Sequence, residues 1–271
     1  MLTRPALGVC RSKANKAGLE KEIPPPCAFR PCPTRANELV EEIGHMRRKE
    51  KAERKELYRI CPHFDKYLET VQKTQGVTVH HRRTVFEWNL KLADNELRLS
   101  NQALHYAFAY FDQYLSLMPV PREQLQLVST ASMWVASKIC SSECPVAKTE
   151  QLEEIVGIDR EEIKSMECWV LAALKWHVQP VTTYDMVHLL LPFMFCEHKY
   201  RAKLVQYVEN ITLAQALVFP LLKYEPSVLA VTAVVCGANL VVKQSDAEIV
   251  GMDEGLNNGL AALCGIDVEQ T

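Results

Sequence analysis

Residues 121–139, PREQLQLVSTASMWVASKI, constrain the fold more than any other stretch of the chain. No formal charge lies between Glu123 and Lys138. Apolar side chains (Leu125, Leu127, Val128, Ala131, Met133, Trp134, Val135 and Ala136) fall on every side of a helical projection. A helix that is apolar all round has to be covered all round. This one is too short, and too rich in Ser, Thr and Gln, to span a bilayer. Ser129, Thr130, Ala131 and Ser132 make a small-residue waist where neighbouring helices can approach closely, and Pro121 suits a first turn because it has no amide donor to satisfy. The stretch reads as the central helix of an all-helical domain, with a cation, Lys138, at its exit.

A buried helix needs partners, and the flanking sequence supplies them. Helical spacing of apolar residues runs through 81–92 (Val85, Trp88, Leu92) and through 100–115 (Leu104, Phe108, Phe111, Leu115), where Ser100 suits the N-cap. It returns from residue 149 and through 159–174 (Ile163, Met166, Val170, Leu174). Residues 61–73 give a shorter amphipathic segment with Phe64, Tyr67, Leu68 and Val71 on one face, and 176–182, with Pro180, read as a linker. Beyond it, helices are expected over 183–195, 200–214 and 226–242. The last begins with proline, is uncharged until Lys243 and carries Ala230, Thr232, Ala233, Gly237 and Ala238. It repeats the pattern of 121–139, so a second unit with its own central helix is expected. No alternating strand pattern appears, and the class is all-α.

The N-terminal part differs in character. Residues 1–35 hold six prolines and little periodic apolar content, and read as an unstructured tail. A helix over 36–60 contains RRKEKAERKE (47–56), where Lys49 and Glu53, and Glu50 and Arg54, stand four residues apart; the interleaved signs read as a solvated face rather than a basic patch. The net charge of −2 gives no general pull toward nucleic acid or a membrane surface. No signal peptide is expected from the first 20 residues, and no run approaches the length of a membrane helix. The 10 cysteines lack zinc-site spacing and read as reduced, mostly buried thiols of a cytosolic or nuclear protein. No phosphate loop, Gly-x-Ser-x-Gly or His-Glu-x-x-His occurs, so no catalytic residue, metal site or cofactor is expected. A binding partner is the natural role for such a chain.

Four segments, in order and at family spacing, resemble the cyclin box. HRRTVFEWNL (81–90) is similar to the family's first-helix motif, with Arg82 and Trp88 as its hallmarks. AYFDQYLS (109–116) is similar to the "YLDRFLS" signature, with Asp112 in the acid position. LQLVSTASMWVASK (125–138) resembles the signature that ends in Ala-Ser-Lys, and MECWVLAALKW (166–176) resembles "MExxxLxxLxW" and supplies Glu167. The resemblance implies tandem cyclin folds, each of about five helices around a buried central helix, plus an N-terminal helix. The divisions it implies are a tail (1–35), a charged helix (36–60), an N-terminal box (61–179) and a C-terminal fold (180–271).

The same resemblance implies a regulatory subunit rather than an enzyme. Cyclins bind a cyclin-dependent Ser/Thr protein kinase, push its mobile helix inward and help open its activation loop. Lys138 and Glu167 match the pair that contacts the kinase. Val135, Ile139, Leu171, Trp176 and Val178 match the apolar contact surface, with Phe64 and Tyr67 as flanking anchors. Arg82 and Asp112 match an internal ion pair between the first two box helices. A second surface, which in some cyclins docks substrates or inhibitors, corresponds to His81, Val85, Trp88, Lys91, Arg122 and Gln126; here His81 replaces the usual Met, and Lys91 stands where an acid often receives the substrate's cation. Residues 140–143 replace a frequently acidic stretch. The segments 174–191 and 224–235 look most like D-type G1 cyclins, whereas RPALG (4–8) is similar to the destruction box of mitotic A/B-type cyclins. The expected location is nucleus and cytoplasm. A cyclin-fold adaptor in transcription is the reading of another class, and it would need a basic face.

Overall fold

A computed structural model describes residues 33–142, 145–194, 196, 198–245 and 254–266 of the 271. The tail reading for residues 1–32, the RPALG segment, Cys27, Cys32 and Glu143 lie outside the described residues. Within them the chain is all-α, with no strand. The elements are α1 (Pro33–Ile60), α2 (Val79–Leu92), α3 (Asn101–Leu117), α4 (Leu125–Ile139), α5 (Thr149–Val156), α6 (Arg160–Ala173), α7 (Thr183–Leu190), α8 (His198–Leu217), α9 (Pro226–Ser245) and α10 (Glu254–Cys264).

Two hydrophobic cores form, each around one of the two uncharged helices. In the first, α4 is buried along Val128–Ser137, with Val128, Ala131, Met133 and Ala136 fully enclosed by side chains of α2, α3 and α6. Phe86 stacks on Phe108 at 4.1 Å and meets Phe111 edge-on at 5.4 Å, which locks α2 against α3. In the second, α9 packs against α7, α8 and α10 through Ala230, Val231, Val234, Ala238 and Val241. The small residues matter at the α8–α9 crossing: a Cβ at Gly237 would lie 2.6 Å from Val208 Cγ2. Helix α1 adds Ile43 and Met46, so five α-helices supply this second core among the described residues. By length and composition Pro226–Lys243 could cross a membrane, contrary to the expectation that no run is long enough. Half of it is buried against its neighbours, as befits a core helix.

Helix ends follow local chemistry. Ser100 accepts the Ala103 amide (3.2 Å) at the start of α3, and Asp159 accepts the Glu161 amide (2.8 Å) at the start of α6. At α7, the Thr182 hydroxyl and the Asp185 carboxylate cap each other's amides. Pro192, which has no amide to donate, coincides with the switch from α7 to a single 3₁₀ turn, Leu191–Phe193, so the helix expected over 183–195 stops early. At the front of α4 a 3₁₀ turn, Arg122–Gln124, follows Pro121.

Three further expectations need correction. Residues 61–73 do not form an α-helix but a 3₁₀ turn, Phe64–Lys66, followed by further tight turns, with bonds such as Lys66 to His63 and Glu69 to Lys66 spanning three residues. Phe64, Tyr67 and Leu68 still turn inward, and the segment is held by Gln72, whose amide donates to the Leu115 and Met118 carbonyls at 2.6 Å. Among the described residues the cysteines are not mostly buried: Cys61, Cys140 and Cys264 are, but Cys196 is half-buried and Cys168 and Cys236 are exposed.

The third correction concerns α1, whose charged run is solvated along Arg48, Lys51, Lys55 and Glu56 but not on its other side. Arg47 and Glu50 are buried. Arg47 donates to the Cys264 carbonyl (2.7 Å), to Glu225 (2.8 Å), to Glu50 and to the Ser227 hydroxyl, while Glu50 accepts the Ser227 amide (2.8 Å) at the start of α9. Burial opposes the Arg47 charge, but Glu225 and Glu50 outweigh it and hold the guanidinium above its ordinary pKa. Arg54 turns away from Glu50 to the Lys223 and Tyr224 carbonyls. Lys49 reaches the Gln179 carbonyl (2.7 Å), and Glu53 accepts the Val181 amide (2.9 Å) and faces His177 Nε2 (2.8 Å). Helix α1 therefore straps the linker and the second core together.

Candidate functional site

Lys138 leaves the last turn of α4, where its charge complements the helix C-terminus. Its Nζ lies 2.5 Å from Glu167 Oε1 on α6 and 3.2 Å from the centroid of the Trp134 ring. The two side chains are 36% and 16% exposed, so the pair sits at the surface with a solvent-facing side. Trp134 is itself fixed: it is buried, and its indole N–H donates to the Ala147 carbonyl at 3.0 Å. Sequence reading took Trp134 as core alone. Its place one turn before Lys138 is the signal that carries the second role.

The residues expected around this pair divide into two groups. Ile139, Leu171 and Val178 are half-buried, and Trp176 is 73% exposed. Trp176 is aimed outward by an unusual turn: Lys175 and Trp176 both adopt left-handed backbone (φ 51° and 62°), and the Trp176 amide closes back on the Leu171 carbonyl at 3.0 Å. Val178 is anchored through its carbonyl, which accepts the Tyr110 hydroxyl. Val135 and Tyr67, by contrast, are not at the surface. Val135 faces the first core from the inner side of α4, and Tyr67 is fully enclosed. Phe64 is buried as well, packed edge-on to Tyr58 at 6.3 Å.

Tyr67 belongs instead to a buried polar cluster. Arg82 donates two bonds of 2.7 Å to Asp112, one to each carboxylate oxygen, and the Tyr67 hydroxyl donates a third of 2.7 Å. The guanidinium lies over Phe86 (4.2 Å) and near Phe219 (5.6 Å). Burial works against the Arg82 charge and Asp112 outweighs it, leaving the guanidinium above its usual pKa; burial, then the Asp112 charge, push the Tyr67 phenol well up. Phe219 follows α8, so this cluster joins α2 and α3 to the second half of the chain.

The second surface is formed where α2 meets the start of α4. Val85 and Trp88 are half-buried against the first core, while Lys91, Arg122 and Gln126 are exposed. His81 Nδ1 accepts the Thr78 amide (3.1 Å), and burial, with the Arg122 charge next, lowers its pKa. Arg122 is turned back onto the preceding loop, its Nε 2.7 Å from the Gly76 carbonyl. Gly76 has φ +63°, and a Cβ there would lie 2.5 Å from Arg122 Nη2, so glycine makes room for this arginine. A separate cavity of about 540 Å³ lies under α1, lined by residues that include Leu57, Phe64, His105, Phe108, Thr212 and Leu222. Among the described residues no cluster of His, Cys, Asp and Glu could hold a metal.

With this geometry in place, the comparisons are specific. The family profile of the cyclin N-terminal domain matches residues 47–179. The chain is 26% identical over 204 residues to G1/S-specific cyclin-D2 of Mus musculus, covering 75% of this chain and 69% of that protein. It is 32% identical over 171 residues to cyclin-A2 of Gallus gallus, covering 60% of this chain and 40% of that one. The fold is similar to that of a viral cyclin from herpesvirus saimiri solved by X-ray crystallography, with a TM-score of 0.57 at 16% identity, over 72% of this chain and 85% of the other.

Proposed function

Since the chain belongs to the cyclin family, we propose that it is the regulatory subunit of a cyclin-dependent Ser/Thr protein kinase and that it acts in cell-cycle progression, as a D-type-like G1 cyclin. On this reading residues 61–179 are the kinase-binding box and 180–271 the second fold. The observation that carries it is the Lys138–Glu167 pair at the mouth of the buried α4, inside the matched domain. An ammonium and a carboxylate held on two rigid helices can bond the backbone of a partner segment with little ordering left to do. Ile139, Leu171, Trp176 and Val178 supply apolar area around them. The D-type assignment is favoured over the mitotic one by coverage. The cyclin-D2 match takes in 69% of the relative, while the cyclin-A2 match has higher identity but takes in 40%. Nucleus and cytoplasm are the locations this role requires.

Co-expression with a panel of cyclin-dependent kinases tests the reading. A kinase should co-purify and gain activity toward histone or the retinoblastoma protein. Replacing Lys138 and Glu167 with Ala should weaken the complex at least about tenfold without unfolding the chain, because a hydrogen bond to a charged group is worth ~1.5–3 kcal/mol. No co-purifying kinase, or unchanged affinity in the double variant, would refute it.

A further inference from the structure

We infer that Trp134 is a positioning residue for Lys138: its ring is a platform that fixes the ammonium beside Glu167 before any partner arrives. The inference rests on the kinase-binding role proposed for Lys138 and goes beyond it by naming the residue that sets the geometry.

A lysine at a helix end is ordinarily a mobile side chain with four rotatable bonds, and ordering it on binding opposes association. Lys138 is already ordered in the free chain. Its Nζ is held from one side by the face of Trp134, 3.2 Å from the ring centroid, and from another by Glu167 Oε1 at 2.5 Å. The attraction between an ammonium and the negative face of an indole is strongest when water is partly excluded, as it is over a ring whose residue is 8% exposed. A platform works only if it does not itself move. The Trp134 indole is tied to the Ala147 carbonyl (3.0 Å), two residues before α5, and the residue sits in the first core. The order of dependence runs from Ala147 through Trp134 to Lys138 and Glu167. Trp134 touches no partner on this account; it acts through Lys138.

The experiment has two arms. In the free chain, the side-chain methylenes of ¹³C-labelled lysines are recorded by NMR, with Lys138→Arg giving the assignment. The Lys138 Cε protons should be shifted upfield by the indole ring current relative to all other lysines, and should move to the common lysine position in Trp134→Met. In the complex, using the kinase that co-purifies with the parent chain, Trp134→Phe keeps a ring and should bind within about threefold of the parent. Trp134→Met, which keeps apolar volume without a ring, should bind roughly five- to tenfold more weakly. Adding Lys138→Ala to Trp134→Met should cost less than Lys138→Ala costs in the parent. A Lys138 resonance at the ordinary lysine position, or a folded Trp134→Met that binds like the parent, overturns the inference. If Trp134→Met does not fold, the Lys138 shift in the parent chain alone decides. If no kinase binds the parent, the functional reading fails while the free-chain arm still judges the platform.

Discussion

The buried cluster of Arg82, Asp112 and Tyr67 offers the sharpest test of what holds the fold together. Asp112 receives three hydrogen bonds of 2.7 Å, and Arg82 and Asp112 are 1% and 2% exposed. In Asp112→Ala the guanidinium stays buried without a counter-charge, with the Tyr67 hydroxyl, the Phe86 and Phe219 rings and a distant Leu217 carbonyl (3.4 Å) as its remaining company. Stranding one partner of such a pair costs about 3–5 kcal/mol. Against a total stability on the order of 5–15 kcal/mol, that is about a fifth or more of the total. At roughly 2–4 °C per kcal/mol for a chain somewhat smaller than this one, the melting midpoint should fall by about 10 °C. The companion is Arg82→Met with Asp112→Leu, which removes both charges and keeps the volume; it should be clearly more stable than Asp112→Ala. Urea titration followed by helical circular dichroism measures both. A loss below about 1 kcal/mol in Asp112→Ala, the range of an exposed pair, would refute the reasoning, as would a double variant no more stable than the single one.

Three further outcomes are expected from the geometry. Gly237→Ala should destabilise by ~1–3 kcal/mol, because its Cβ would meet Val208 Cγ2 at 2.6 Å and the Val208 amide nitrogen at 3.3 Å; Val208→Ala in the same chain should recover part of the loss in a urea titration. Arg47→Met should cost roughly 3 kcal/mol or more by leaving Glu50 buried without its partner, and limited proteolysis should then cut α1 faster. Burial, and then the His188 charge, lower the His105 pKa to about 4. The unfolded chain, with an ordinary value near 6.5, takes up that proton first. Stability from His105 is therefore complete above about pH 6.5 and is lost toward pH 4, at up to ~1.4 kcal/mol per pH unit. His105→Gln should flatten that part of a pH–stability curve.

Much of the fold was legible in the residues. The uncharged runs at 124–137 and 226–242 mark the two core helices, because nothing but burial suits a helix without a polar side. The start of α3 was visible in Ser100, since capping is a matter of a few consecutive residues. Contacts distant in sequence were not. The run 47–56 looks solvated because its signs balance locally, yet Arg47 and Glu50 meet Glu225, Ser227 and Cys264 from the far end of the chain. Residues 61–73 carry a helix-like apolar spacing, but Gln72 draws the backbone into turns by bonding three groups between Leu115 and Val120. At the candidate site the pattern located Lys138 and Glu167 on neighbouring helices. It could not separate Ile139, on the outer side of α4, from Val135 on its inner side, because α4 is apolar in both directions.

The strap helix has a mechanical consequence. Its 28 residues make a rod of about 42 Å, bolted at intervals to Cys264, Ser227, Glu225, Tyr224, Val181 and Gln179. Several of these bolts grip backbone groups, which cannot swing away as side chains can. A rod fixed at several points along its length resists twisting as well as stretching, so the linker at 176–182 and the second core move with it as one piece. The first core meets that piece directly, where α3 lies against α7 and α8 and Arg82 reaches Phe219, so a partner docking on α4 and α6 leans against the whole molecule rather than against one half of it.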